Sequence, residues 1–107
     1  MKVASVVAML ALAGMSLSGT ANAAPDGAAL YIDKTCVACH GKDGKKPLMP
    51  DYPKIAGQNK AYIEKQMADI KSGARKNGNS AAMAGVMVLV NDAEMKVLAD
   101  YVSKLKP

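Results

Sequence analysis

The chain has 107 residues and a net charge of +5, from 14 Lys and Arg against 9 Asp and Glu. This length allows one small domain, and domains of this size often need a disulfide, a metal or a bound cofactor for stability. The positive charge does not indicate nucleic-acid binding, because basic and aromatic residues do not interleave as they do in single-strand-binding proteins.

The first 23 residues have the composition of a secretory signal peptide. Lys2 gives a positive start, residues 3–15 are almost entirely small or apolar, and Ala21-Asn22-Ala23 has the A-x-A form of a signal-peptidase site. We therefore expect cleavage after Ala23, export to the periplasm, and a mature domain over residues 24–107. The apolar run is shorter than the roughly 20 residues that cross a membrane, so no stable membrane insertion is expected.

The remaining sequence predicts helices joined by long loops. Asp26 is the expected N-cap of a helix reaching about Lys34, and an amphipathic helix is predicted from about Asn59 to Ser72. The apolar stripe of this second helix is Tyr62, Ile63, Gln66, Met67 and Ile70. Asn91 is expected to cap a last helix, whose predicted core positions are Met95, Leu98, Val102 and Leu105. No segment predicts a strand, so the expected fold class is all-α with three to four helices.

The segment Cys36-Val37-Ala38-Cys39-His40 contains both cysteines and the only histidine of the chain. C-x-x-C-H is the attachment signal for a c-type haem. Each thiol forms a thioether with one haem vinyl group, and the adjacent imidazole becomes the proximal axial ligand of the iron. One covalently bound haem c would also give a chain without Phe or Trp a large apolar body to pack around.

Two other kinds of site use the same residue types. A thiol–disulfide oxidoreductase would use Cys36 and Cys39, but such motifs usually belong to a βαβ pattern, which this sequence does not show. A zinc site would find only three soft ligands in the chain, which makes it the weaker of the two alternatives.

The sixth ligand of the iron cannot be a second histidine, so methionine is the remaining candidate. Met83 and Met87 lie more than 40 residues beyond His40, which is enough chain to pass around the edge of a haem. The other methionines of the mature part are interpreted as core residues or as too close to the histidine: Met49, Met67 and Met95. A thioether opposite an imidazole favours ferrous iron, and filling both axial positions favours electron transfer over catalysis.

Taken together, these features resemble the class I cytochromes c, which are soluble monohaem electron carriers, over residues 26–106. The chain is most similar to small bacterial periplasmic members and to single domains of the periplasmic dihaem cytochromes c. Besides the haem motif, the resemblance rests on a Pro-x-Ile-x-Gly-Gln segment at residues 53–58 and on a residue pair in each terminal helix. These pairs are Gly27 with Tyr31 and Leu98 with Tyr101, and they imply that the first and last helices cross closely.

The resemblance implies roles for particular residues around the haem. The carbonyl of Pro53 would accept the Nδ1–H of His40 and so fix the tautomer of the imidazole. Met83 precedes Val90 by seven positions, the spacing that the related domains have between the ligand methionine and the residue before the helix cap. Met83 is therefore the expected distal ligand, with Met87 as second choice.

Polar residues of the loops are the candidates for binding the haem propionates. Arg75 follows a stretch that is similar to the family, and a buried carboxylate needs a cationic or hydrogen-bonding partner. Tyr52 and Gln58 are weaker candidates.

The resemblance implies a periplasmic carrier that moves single electrons by cycling its iron between Fe(II) and Fe(III), and not an enzyme. Its partners would be donors and acceptors with acidic docking surfaces, such as a quinol–cytochrome c reductase and a terminal oxidase or reductase. The lysines near the motif that would face them are Lys42, Lys45, Lys46 and Lys54. A haem enzyme or gas sensor with a labile sixth ligand is the alternative function, and a monomer or weak dimer is the expected state.

Overall fold

The structure, a computed structural model, describes residues 26–107, and its helices account for all the regular secondary structure in that range. They are α1 (Gly27–Asp33), α2 (Cys36–His40), α3 (Lys60–Ser72), α4 (Ser80–Met87) and α5 (Asp92–Ser103). The prediction of an all-α fold is confirmed. There are five helices instead of three or four, because the C-x-x-C-H motif and the apolar run at residues 81–90 each form a short one. The expected signal peptide lies outside the described residues.

The three helix starts predicted from the sequence are confirmed by their caps. The side chain of Asp26 accepts a hydrogen bond in the first turn of α1, and that of Asn59 does the same for α3. Asn91 and Glu94 form a reciprocal capping box at the start of α5. Because caps satisfy backbone groups that a helix end leaves without partners, these polar residues fix where each helix begins.

Helix α1 crosses α5 at a point where Gly27 has no side chain. A Cβ atom at Gly27 would lie 2.5 Å from the Cβ of Tyr101, which is closer than two carbon atoms can approach. One turn further along α1, the rings of Tyr31 and Tyr101 are tilted by 54° with their centroids 5.7 Å apart. The close crossing of the terminal helices is therefore present in the structure.

The buried core joins α1, α3 and α5 with the inner side of α4 and the residue before α5. It consists of Leu30, Tyr31, Met67, Ile70, Met87, Val90, Met95, Leu98, Ala99 and Val102. The prediction that Leu105 continues the helical stripe was wrong, because α5 ends at Ser103. The backbone N–H groups of Gly57 and Leu105 both donate to the carbonyl of Val102, so the chain turns there and lies against Gly57.

The apolar stripe of α3 faces a cavity as well as the core. Along this stripe Tyr62 remains 52% exposed, while Met67 and Ile70 are buried. Among the described residues, the structure contains no helix with the length and apolar character needed to cross a bilayer.

Candidate functional site

A cavity of about 590 Å³ lies between the C-x-x-C-H helix, α3, α4 and the loop that precedes α3. This volume is within the range of about 300–1,000 Å³ that is typical of ligand and cofactor sites. Every residue of the predicted apolar stripe of α3 lines the cavity, as do Leu98 and Val102 of α5. The apolar stripe predicted from the sequence therefore provides a wall of the cavity.

Both cysteines and the histidine line the same cavity, because they lie on the single short helix α2. The chain enters α2 through Thr35, which has a left-handed conformation with φ 64°, uncommon for a β-branched residue. It leaves through Gly41, with φ 85°, where any Cβ atom would collide with the carbonyl of Lys46. The motif is thus held between two backbone positions that few residues can occupy.

The two cysteines are free and half-buried in the wall of the cavity. Burial raises the pKa of the Cys36 thiol to about 11, so this thiol stays protonated at neutral pH. Cysteines that act in disulfide exchange have a lowered pKa, since the thiolate is the nucleophile. The environment of Cys36 therefore does not activate this thiol as the nucleophile of disulfide exchange.

His40 is buried, with 7% of its surface exposed, and its Nδ1 lies 2.9 Å from the carbonyl oxygen of Pro53. A carbonyl oxygen can only accept a hydrogen bond, so Nδ1 carries the proton and donates it. The lone pair of Nε2 is then available to a metal. Pro53 thus has the geometry that the resemblance implies for it.

Two of the methionines line the cavity, namely Met67 from α3 and Met83 from α4. Met83 is half-buried, whereas Met67 is 7% exposed and belongs to the core cluster. Met87 is 1% exposed and packs in the core on α4, away from the residues that line the cavity. The placement favours Met83 over Met87, and it adds Met67, which the sequence interpretation had assigned to the core alone.

A polar edge of the cavity is formed by side chains from three segments. The Nη1 of Arg75 donates to the Oε1 of Gln66 at 3.0 Å, and both residues line the cavity. Tyr52 and Gln58, the weaker candidates, also line it.

A second polar pair lies at the cavity, in which the Nδ2 of Asn79 donates to the Oδ2 of Asp51 at 2.5 Å. The sequence interpretation missed this pair and also missed the contact between Arg75 and Gln66. No motif marks these residues, because their meeting depends on the paths of two loops.

The lysines predicted to lie near the motif fall on one loop and on the segment that follows it. Lys54 lines the cavity, Lys42 and Lys46 are exposed, and Lys45 is half-buried. The N–H of Leu48 donates to the carbonyl of Cys39 at 3.0 Å, which holds this loop against α2. Positive side chains therefore lie close to the motif.

The residues of the cavity fit a covalently attached haem. Two thiols and an imidazole with a free Nε2 lie on one helix, a methionine thioether comes from α4, and the remaining walls are largely apolar. Arg75 supplies a positive charge at the polar edge, where a carboxylate would need one. Among the described residues, no cluster of three or more His, Cys, Asp or Glu side chains has the arrangement of a metal site.

The chain is similar to known proteins of one family. The model of the cytochrome c family matches residues 24–106. The chain is 40% identical to cytochrome c4 of Pseudomonas aeruginosa over 93 residues, which cover 86% of this chain and 44% of that protein. It is 37% identical to cytochrome c-553 of Nitratidesulfovibrio vulgaris over 100 residues, covering 94% of this chain and 96% of that protein.

A solved structure is similar as well. The crystal structure of reduced cytochrome c4 from Pseudomonas stutzeri matches with a TM-score of 0.66 and 30% identity, over 75% of this chain and 46% of that one. The chain therefore spans somewhat less than half the length of the cytochrome c4 relatives it matches, and nearly the whole length of the c-553 relative.

Proposed function

The chain belongs to the cytochrome c family, and from this we propose that it is an exported single-electron carrier whose haem iron is bound by His40 and Met83. As a member of this family it holds haem c covalently, and Cys36 and Cys39 fit the attachment motif. The observation that carries the proposal is that one cavity is lined by both thiols, the imidazole and the thioether of Met83.

When bound, haem c supplies an Fe(II)/Fe(III) couple that gains or loses one electron. The residues around the haem determine whether that couple serves electron transfer or catalysis. His40, oriented through its bond to Pro53, would bind the iron through Nε2, and Met83 would supply a soft, uncharged sulfur as the second protein ligand. With both residues bound, small molecules such as oxygen and peroxide would be kept from the iron, which suits a relay and not a reaction centre.

Arg75 is proposed to bind a haem propionate. Its contact with Gln66 fixes one side of the guanidinium group, and the remaining N–H donors stay available at the polar edge of the cavity. A guanidinium group matches a carboxylate geometrically, so this residue would offset the negative charge that a propionate brings into a largely apolar site.

The partners are proposed to be redox proteins with acidic docking surfaces, met in the periplasm. The lysines next to the motif, at positions 42, 45, 46 and 54, would attract such surfaces over a distance of about one Debye length, roughly 8–10 Å at physiological salt. Charges of this kind change the association rate more than the affinity. We therefore expect electron transfer to slow as the salt concentration rises.

Expression with the haem-attachment machinery and a reductive titration test the proposed function. We expect a pyridine haemochrome spectrum of c-type haem, with one haem per chain, and a reversible one-electron transition. We also expect no binding of carbon monoxide or cyanide on mixing. Fast binding of either ligand to the resting protein would contradict the proposal and favour the haem enzyme or gas sensor.

A further inference from the structure

We propose that Tyr31 is a positioning residue for His40, acting through the hydroxyl group of its buried side chain. This inference rests on the proposed function, because it concerns how firmly the proximal ligand of the haem is oriented. Tyr31 lies on α1, outside the motif and outside the segment that carries Pro53. The effect of Tyr31 on His40 would therefore pass through the backbone between the motif helix α2 and the segment that carries Pro53.

The hydroxyl group of Tyr31 makes a specific contact with the exit of the motif helix. Tyr31 is 1% exposed, and its Oη donates to the carbonyl oxygen of Gly41 at 2.6 Å. This distance is at the short end of the range for O–H···O hydrogen bonds, which indicates a strong one. Gly41 directly follows His40, so the bond holds the peptide through which the histidine leaves α2. Burial also raises the pKa of Tyr31 to about 12, which keeps the donated proton in place.

The same carbonyl begins a chain of backbone hydrogen bonds that leads to the partner of the histidine. The N–H of Gly44 also points to the Gly41 carbonyl, at 3.3 Å. The Gly44 carbonyl in turn accepts from Ile55 at 2.7 Å and from Ala56 at 3.0 Å. Ile55 lies two residues after Pro53, whose carbonyl receives the Nδ1–H of His40.

Together with the peptide bond from His40 to Gly41, these hydrogen bonds form a closed ring that includes His40. The ring closes through the hydrogen bond from His40 to Pro53. Tyr31 anchors the ring to α1, which itself crosses α5 closely at Gly27.

Loss of the Tyr31 hydroxyl should therefore loosen the Pro53 carbonyl and weaken its bond to His40. A weaker bond makes the imidazole a less basic ligand, and a less basic ligand stabilises ferric iron less. The reduction potential should then rise. If Tyr31 only filled space, its ring would be sufficient, and a phenylalanine would leave the potential unchanged.

The test compares Tyr31→Phe with Tyr101→Phe in the haem-loaded protein. Tyr101 is the matched control, since its ring forms the other half of the same aromatic pair while its hydroxyl lies outside this hydrogen-bond ring. For Tyr31→Phe we expect the ferrous-to-ferric ratio at a fixed ambient potential to rise roughly two- to threefold. A change of this size corresponds to losing about half of the free energy that one hydrogen bond contributes. Tyr101→Phe should match the wild type.

A second measurement reads the His40 bond directly. In the reduced protein, nuclear magnetic resonance should show faster solvent exchange of the His40 Nδ1 proton in Tyr31→Phe, by about two- to tenfold. Replacing Tyr31 alone by a fluorinated tyrosine keeps the ring and makes the hydroxyl a stronger donor, so it should shift the potential in the opposite direction.

The outcomes separate this inference from the proposed function. A wild-type protein without a haemochrome spectrum, or without a one-electron transition, would overturn the proposed function itself. A normal wild type, together with an unchanged potential and unchanged proton exchange in both Tyr31 variants, would overturn the role of Tyr31 alone.

Discussion

The two sides of the cavity are built in different ways. The histidine side consists of α1, α2 and residues 41–58, and it is held by backbone hydrogen bonds and by close contacts at glycines that have no room for a Cβ atom. The methionine side consists of α3, residues 73–79 and α4, and it is held mainly by apolar packing. The difference indicates that the histidine is placed by geometry that few substitutions allow, whereas the methionine is placed by contacts that can adapt.

The two sides differ in the contacts that a Cβ atom would make at their glycines. On the histidine side, a Cβ atom at Gly57 would lie 2.6 Å from the Cγ of Pro107, and one at Gly44 would lie 3.3 Å from backbone and side-chain atoms. On the methionine side two glycines also have positive φ, but a Cβ atom at Gly78 or Gly85 would meet nothing within 4 Å. Close contacts therefore require glycine on the histidine side, whereas on the methionine side any requirement for glycine comes from the backbone conformation.

The largest expected effect comes from exchanging a glycine on each side for alanine. Gly41→Ala should cost more than about 3 kcal/mol of unfolding free energy, because it combines a glycine-only conformation with a collision against the Lys46 carbonyl. Gly85→Ala should stabilise the protein by up to about 1 kcal/mol, since it lies within α4 and meets no neighbour. Urea denaturation measures the free energy of unfolding of both variants. If Gly85→Ala lost as much stability as Gly41→Ala, the proposed difference between the two sides would be wrong.

A smaller effect is expected at the point where the methionine side depends on a polar contact. The Nζ of Lys71, on α3, donates to the carbonyl of Val90 between α4 and α5. Lys71→Met should cost about 1–3 kcal/mol, as a charge-assisted hydrogen bond would, and should speed cyanide binding by loosening the segment that carries Met83. Lys96→Met, on the exposed surface of α5, is the control and should change stability by less than about 0.5 kcal/mol. Equal behaviour of the two variants would show that packing alone holds this segment.

The smallest expected effect concerns Glu94, which joins α5 to the C-terminal end of α1. The N–H of Asn91, together with Lys34 and Lys71, holds the pKa of Glu94 below its usual value of 4.5. A carboxylate with a lowered pKa in the folded state contributes stability above its usual pKa, and this contribution is lost as the pH falls through the lowered value. The stability of Glu94→Gln should therefore depend less on pH below about 4.5. Denaturation midpoints measured down the acid range would contradict this if both proteins lost stability in parallel.

Local sequence signals were sufficient for much of the fold and for the histidine side. The caps at Asp26, Asn59 and Asn91 depend only on residues within one helical turn, so they can be recognised without knowledge of the fold. The haem motif is equally local, because both thiols and the imidazole lie on five consecutive residues. The family resemblance then indicated the partner of the histidine, Pro53.

The features that the sequence did not reveal depend on contacts between distant segments. Asn79 meets Asp51, 28 residues away, and Arg75 meets Gln66 because a loop folds back onto α3. Leu105 continues the apolar period of α5 but lies beyond its end, because the carbonyl of Val102 accepts two backbone bonds there. Periodicity records which residues are apolar, and it does not record where tertiary hydrogen bonds end a helix.

The assignment of the iron ligands is tested most directly by the sulfur-to-iron charge-transfer band of the ferric protein. It should be measured in Met83→Ala, with Met67→Ala and Met87→Ala as controls from the cavity wall and the core. We predict that Met83→Ala loses the band, while the two control variants keep it and lose about 2–5 kcal/mol of stability through the cavities that they leave. A band that survives in Met83→Ala and disappears in either control would contradict the assignment of Met83 as the distal ligand.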